Sequence, residues 1–114
     1  MSAAPWLQQE DRGPELYGRC AVTLALPCFA GHFPDAPILP GIVQLQWAVE
    51  LAEALAPQRY GTAAFLGLAR VKFKRPVQPP AELEFELRTA PGTITVRVHS
   101  AAGLHTEGRL RYRA

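Results

Sequence analysis

The chain has 114 residues, room for one domain spanning 1–114 and no second one. Hydrophobic residues at 48% and charged residues at 19% make a globular balance, which excludes a disordered or fibrous chain. Lys and Arg total 12 against 10 Asp and Glu, a net +2, and no concentrated basic face of the kind nucleic acid requires accompanies that surplus.

No apolar run approaches the roughly 18 residues of a spanning helix, because the longest is broken by Gln44, Gln46, Glu50 and Glu53. Residues 1–15 (MSAAPWLQQEDRGPE) have neither a basic start nor an apolar stretch of the secretory kind, so a cytoplasmic location is expected. Cys20 and Cys28 have no metal-type spacing and are expected to be reduced, buried thiols. A lone domain of this size is marginal by itself, so a dimer interface adding buried area is expected.

In chain order, a short strand near Pro5–Gln9 is expected to fold back through a turn at Asp11-Arg12-Gly13-Pro14 onto a strand over Leu16–Leu26. In that second strand Cys20, Val22, Leu24 and Leu26 alternate with Arg19 and Thr23, the period-2 pattern of a half-buried strand. Pro27–Gly41 carries prolines at 27, 34, 37 and 40, which neither a helix nor a central strand accommodates, so it reads as a structured loop. Ile42–Ala56 follows Pro40-Gly41 and stops at Pro57, which punctuates a helix of about four turns. Its apolar positions cover most of the circumference, and Gln46, Glu50 and Glu53 gather in a narrow stripe, so most of this helix is expected to be buried.

The remainder reads as four antiparallel strands. Val71 and Phe73 alternate with Lys72 and Lys74 within Gly61–Val77, and Ala81–Arg88 alternates strictly. Thr93–His99 puts Ile94, Val96 and Val98 on one face after the turn signal Pro91-Gly92. In Leu104–Arg113, Leu104, Thr106, Leu110 and Tyr112 oppose His105, Glu107, Arg109 and Arg111. By this parity His99 and His105 both fall on wet faces as ordinary surface histidines. The pattern is α+β, a curved antiparallel sheet wrapped around one long central helix.

The chemistry concentrates in Gly31-His32-Phe33-Pro34-Asp35-Ala36-Pro37-Ile38-Leu39-Pro40-Gly41. Prolines fix φ and remove competing donors, so this loop can hold the His32 imidazole in one orientation, as a general base requires. The helix start supplies free N–H groups near Gly41, where the missing side chain lets a carbonyl approach the backbone. A base and an oxyanion site would then be neighbours; from spacing alone a loop histidine that only secures the turn is an equal alternative.

This run, followed by the apolar helix and by Arg70-Val71-Lys72-Phe73-Lys74-Arg75-Pro76-Val77-Gln78-Pro79, resembles the 3-hydroxyacyl-[acyl-carrier-protein] dehydratases of fatty-acid synthesis, from about Cys20 to about Leu87. The resemblance implies a hot-dog fold and a dimer with each active site at the subunit interface. It implies an enzyme with no metal or cofactor, acting on a 3-hydroxyacyl thioester carried by acyl carrier protein. His32 matches the family's catalytic histidine, which removes the α-proton, and the Gly41 N–H matches the donor that polarises the thioester carbonyl. Phe33, Pro40, Ile42 and Trp47 are candidates for lining the substrate pocket.

One departure lies on the helix. The family places Glu or Asp fourteen residues after the histidine to protonate the departing hydroxyl, and Gln46 stands there. An amide hydrogen-bonds but does not act as an acid, and loss of a general acid typically removes ~10²–10⁴ of rate. Glu50, one helical turn on, is the candidate replacement. Arg70, Lys72, Lys74 and Arg75 form a candidate docking patch for an acidic carrier protein, with a solvated edge as the equal alternative. The helix sequence Val43-Gln44-Leu45 with Trp47 resembles a short dehydratase-like branch that accompanies dedicated acyl or polyene pathways. Two alternatives stand beside dehydration: a hot-dog acyl thioesterase in which Glu50 activates water, and a non-catalytic acyl-binding subunit. In the latter the chain pairs as a heterodimer with a paralogous hot-dog chain that supplies the missing acid, in place of a homodimer.

Overall fold

Alternation in the second half of the chain is realised as one continuous antiparallel sheet. The computed structural model describes residues 4–29 and 37–113. Its strands are β1 (Trp6–Asp11), β2 (Glu15–Val22), β3 (Phe65–Phe73), β4 (Ala81–Ala90), β5 (Thr93–Ser100) and β6 (Gly103–Tyr112), and its helices are α1 (Gly41–Leu55) and the single turn α2 (Pro57–Tyr60). The spatial order is β1-β2-β4-β5-β6-β3, which leaves β1 and β3 at the two edges.

One face of the sheet buries Leu16, Cys20 and Val22 from β2, Leu83, Phe85 and Leu87 from β4, and Ile94, Val96 and Val98 from β5. Against it α1 sets Leu45, Trp47, Ala48, Leu51 and Ala52. Burying a side chain of Leu or Phe size contributes about 1.5–3 kcal/mol, so this helix-on-sheet contact dominates the stability of the fold. Gly18 of β2 marks the closest approach. A Cβ there would lie 2.7 Å from a methyl of Leu51 and 2.7 Å from the Trp6 ring, so the helix could not seat as deeply over any other residue. Burial, aided by the nearby Glu82 charge, pushes the Cys20 thiol up to about 12.

The opposite face is polar and cross-linked by charge. Arg19 pairs with Glu82 at 2.8 Å, the Tyr17 hydroxyl donates to Glu84 at 2.5 Å, and His99 contacts both Glu84 and Glu86. The Arg12 guanidinium lies 3.9 Å from the centre of the Tyr17 ring.

The structure departs from the sequence expectations at three places. The second strand ends at Val22, and Leu24 and Leu26 lie beyond it in a turn and bend, so their apparent continuation of the alternation is not strand pairing. The third strand is shorter than Gly61–Val77, because residues 62–64 form a turn of 3-10 helix and the ladder stops at Phe73. His105 is not a surface histidine: it is buried, 3% exposed. The register between β5 and β6 shifts after Val98, so His99 faces Leu104 while Val98 faces Thr106, and the extra residue His105 is turned inward. A parity count carried through the strand cannot detect that insertion. His99 lies on the polar face as expected. Cys20 is a buried free thiol as expected, and the Cys28 side chain lies outside what the structure describes.

Candidate active site at the start of the central helix

Pro40 precedes the first turn of α1 with φ −58° and ψ 141°, and no side chain caps the helix. Its carbonyl accepts the N–H groups of Val43 and Gln44 at 3.1 and 3.3 Å, so the earlier N–H groups, those of Gly41 and Ile42, stand ahead of the helical ladder. Leu39 is tied to Val77 by an isolated antiparallel bridge, which anchors the incoming chain to the segment after β3. These two attachments fix where the proline-rich segment enters the helix.

A cleft of about 310 Å³ opens at this point, bounded by Ile38, Gly41, Gln44, Phe73, Lys74 and Thr106 among others. The Phe73 ring lies where a Cβ on Gly41 would sit, so glycine is the residue that lets this ring and the helix start coexist. Phe73 is 59% exposed, so one side of its ring faces solvent at the cleft mouth. Deeper in the wall, the Gln44 side chain is 2% exposed, receives the Thr106 hydroxyl at 2.6 Å and donates to the Leu39 carbonyl at 3.3 Å. Sequence reasoning missed Gln44, Thr106 and Phe73 as parts of this wall. A glutamine on the apolar side of a helix wheel was the available signal, and its partner lies 62 residues away.

Of the site residues expected from sequence, Gly41, Pro40 and Ile42 are together at the helix start, with Pro40 and Ile42 exposed. Gln46 is exposed and faces away from the chain's own sheet, and Glu50, one turn later, is half-buried. A Glu50 carboxylate oxygen accepts the Ala4 N–H at 3.2 Å, so that carboxylate helps fasten the N-terminal segment. Trp47 lies in the core at 2% exposure, and its indole N–H has no hydrogen-bond partner among the described residues. His32 and Phe33 lie outside the described residues.

The four basic residues divide. Arg70 and Lys72 border a shallow cleft with Thr95, Glu107 and Arg109, and Lys74 and Arg75 border the cleft at the helix start. Lys74 also pairs with Glu107 at 3.4 Å. Arg70 has φ 52°, in the left-handed region, at a register shift in β3 between Ala69 and Lys72, which turns this part of the edge strand. No group of three or more metal-ligating side chains occurs among the described residues, and no helix there is long and apolar enough to cross a membrane.

A six-stranded antiparallel sheet curled around one long buried helix, with a cleft at the helix start, is a hot-dog fold. Residues 8–109 match the ApeI-like family, described as ApeI dehydratase, and the chain belongs to that family. Among curated relatives, it is 36% identical over 109 residues to 3-hydroxyacyl-[acyl-carrier-protein] dehydratase FabZ of Thermomicrobium roseum, covering 88% of this chain and 73% of that one. It is 39% identical over 72 residues to FabZ of Actinobacillus pleuropneumoniae serotype 5b, covering 58% of this chain and 47% of the relative. The chain thus spans about half the length of the first curated relatives it matches. Among solved structures, the dehydratase heterocomplex ApeI:P from Xenorhabdus doucetiae aligns with a TM-score of 0.84 at 23% identity, covering 99% of this chain and 100% of that one, a likeness of fold.

Proposed function

We propose that this protein dehydrates a 3-hydroxyacyl thioester carried by acyl carrier protein, giving the trans-2-enoyl thioester. The observation that carries the reading is the cleft at Gly41, where unladdered helix N–H groups open beside an exposed aromatic ring, nine residues after His32 in the sequence motif the family shares. In this reading the thioester carbonyl oxygen accepts the Gly41 N–H, which disperses the negative charge that develops when the α-proton leaves. The His32 imidazole takes that proton; the C–O bond at the β-carbon then breaks, and the hydroxyl departs as water once it gains a proton. No metal or cofactor is needed, because the thioester itself acidifies the α-position.

The proton donor separates two arrangements of the site. Gln46 supports only hydrogen bonding to the departing hydroxyl. Glu50 is a carboxyl group on the same helix face, and one of its oxygens accepts the Ala4 N–H at 3.2 Å. The exposure of Gln46, on a helix otherwise largely buried, favours a second reading in which an apposed hot-dog chain covers this face and contributes the acid. That chain is either a second copy or a paralogue. The ApeI relative is itself known as a heterocomplex, which supports the paralogue. The exposed basic residues Arg70, Lys72, Lys74 and Arg75 suit docking of an acidic carrier.

The test is incubation of the protein with 3-hydroxyacyl carrier protein, following the acyl-carrier mass and free thiol together. Dehydration removes one water from the acyl-carrier mass and releases no thiol, whereas a thioesterase liberates thiol. Glu50→Gln abolishing conversion supports Glu50 as the acid. Gln46→Glu creating conversion in an otherwise inactive chain supports the partner-supplied acid.

A further inference from the structure

A second, wider cleft of about 870 Å³ is bordered by Arg75, Gln78, Glu82, Ser100, Ala102 and His105 among others, and meets the helix-start cleft at Arg75. Within it the His105 imidazole is held at both nitrogens. Nδ1 lies 3.1 Å from the Arg75 carbonyl oxygen, and Nε2 lies 2.6 Å from the Ser100 Oγ. A carbonyl oxygen can only accept, so the proton of the neutral ring sits on Nδ1. Nε2 then presents its lone pair, and the Ser100 hydroxyl must donate to it.

The surroundings reinforce this polarity. The Ala102 N–H donates to Ser100 Oγ at 3.1 Å, which occupies one lone pair and places a positive dipole end against the oxygen. The His105 carbonyl accepts the Lys74 and Arg75 N–H groups at 2.8 and 3.3 Å, so the ring is fixed from its own backbone as well. Gly103, paired across the hairpin with Ser100, has φ +117°, and the Arg75 Nε lies 3.7 Å from where its Cβ would be. The Arg75 side chain therefore reaches the Gly103 end of the hairpin, across from Ser100. The β6 bulge that turns His105 inward is what assembles these parts.

We propose that Ser100 and His105 form a nucleophilic pair that accepts an acyl group from an activated ester entering this cleft. Ser100 Oγ bonds to the acyl carbon as its proton passes to His105 Nε2. The carbonyl oxygen takes the displaced electron pair facing the Arg75 guanidinium, and the bond to the leaving oxygen then breaks as Nε2 returns the proton to it. The Ser100 acyl ester is released by water in the reverse sequence of proton transfers. This site uses none of the residues assigned to dehydration except Arg75, which borders both clefts.

The experiment uses a fluorophosphonate, whose P–F bond is broken by an activated serine with fluoride leaving, and p-nitrophenyl acetate as a turnover probe. Peptide mass mapping is expected to find the phosphonyl adduct on Ser100, forming at least about 100-fold faster in the native chain than in the same chain in urea. Ser100→Ala abolishes the adduct, and His105→Gln slows it by about 10²–10⁴ with the circular dichroism spectrum unchanged. Equal labelling of Ser100 in the native and urea-unfolded wild type overturns the proposal without reliance on any variant. So does a native rate of p-nitrophenol release that Ser100→Ala leaves unaltered.

Discussion

The Phe73 ring occupies the volume a Cβ on Gly41 would need, so the first residue of α1 and the last residue of β3 together set the shape of the cleft mouth. The contact joins an edge strand to the point where the proposed oxyanion donor sits. Because the ring is largely exposed, it can swing outward to relieve a clash. Gly41→Ala is therefore expected to lower stability by only about 1 kcal/mol while reducing dehydration at least tenfold, since the displaced ring and added methyl obstruct carbonyl approach. Thermal melts beside turnover measurements check this; a loss of stability in proportion to activity would count against it.

Thr106 and Gln44 form a buried hydroxyl–amide pair under the same cleft. Thr106→Val keeps the shape but strands the Gln44 oxygen without its donor, at a cost of about 1–3 kcal/mol. The double change Thr106→Val with Gln44→Leu removes both polar ends and is expected to recover much of that loss. A double-mutant cycle by urea denaturation measures the coupling.

The strands and the central helix were legible because each carries its own period: alternation for the sheet, and Pro40-Gly41 to Pro57 bounding a nearly all-round apolar helix. The position of the helix start at Pro40-Gly41 was legible for the same reason, since proline and glycine act locally. His105 was misplaced because the extra residue at the register shift after Val98 is buried while Thr106, Leu110 and Tyr112 beyond it keep their expected inward places, and such a bulge is a property of the strand pair. Gln44 went unremarked because its partner Thr106 comes from a strand at the other end of the chain. Local sequence carries no record of either.

Alkaline pH is expected to weaken the fold through Cys20 and Tyr17. Burial raises the Cys20 thiol from 9.0 to about 12, and burial together with the bond to Glu84 raises the Tyr17 phenol from 10.0 to about 12. Between these values the unfolded chain has lost protons that the folded chain keeps, so stability is full below about pH 9 and falls as pH rises through 12. Cys20→Ala should flatten the first part of that decline, read as the urea midpoint against pH. The native Cys20 thiol should also resist a disulfide reagent at pH 8 and react on unfolding.

Edge strand β3 exposes Leu66 and Leu68, at 57% and 39%, beside a run of free backbone edge. Such an edge pairs readily with another strand. If the proposed assembly joins sheets along β3, Leu68→Lys should shift the particle mass toward a single chain in light scattering while the helical circular dichroism signal persists. A mass unaffected by the change would place the interface elsewhere.

The most direct test of the central claim is the rate of conversion of 3-hydroxyacyl carrier protein to its enoyl product by mass spectrometry, comparing the wild-type chain with His32→Ala, each alone and with a paralogous hot-dog partner. Conversion by the wild type is expected in at least one of these settings, with a loss of about 10²–10⁴ in His32→Ala. Conversion that survives His32→Ala undiminished, or a wild type inert both alone and with its partner, would contradict the claim.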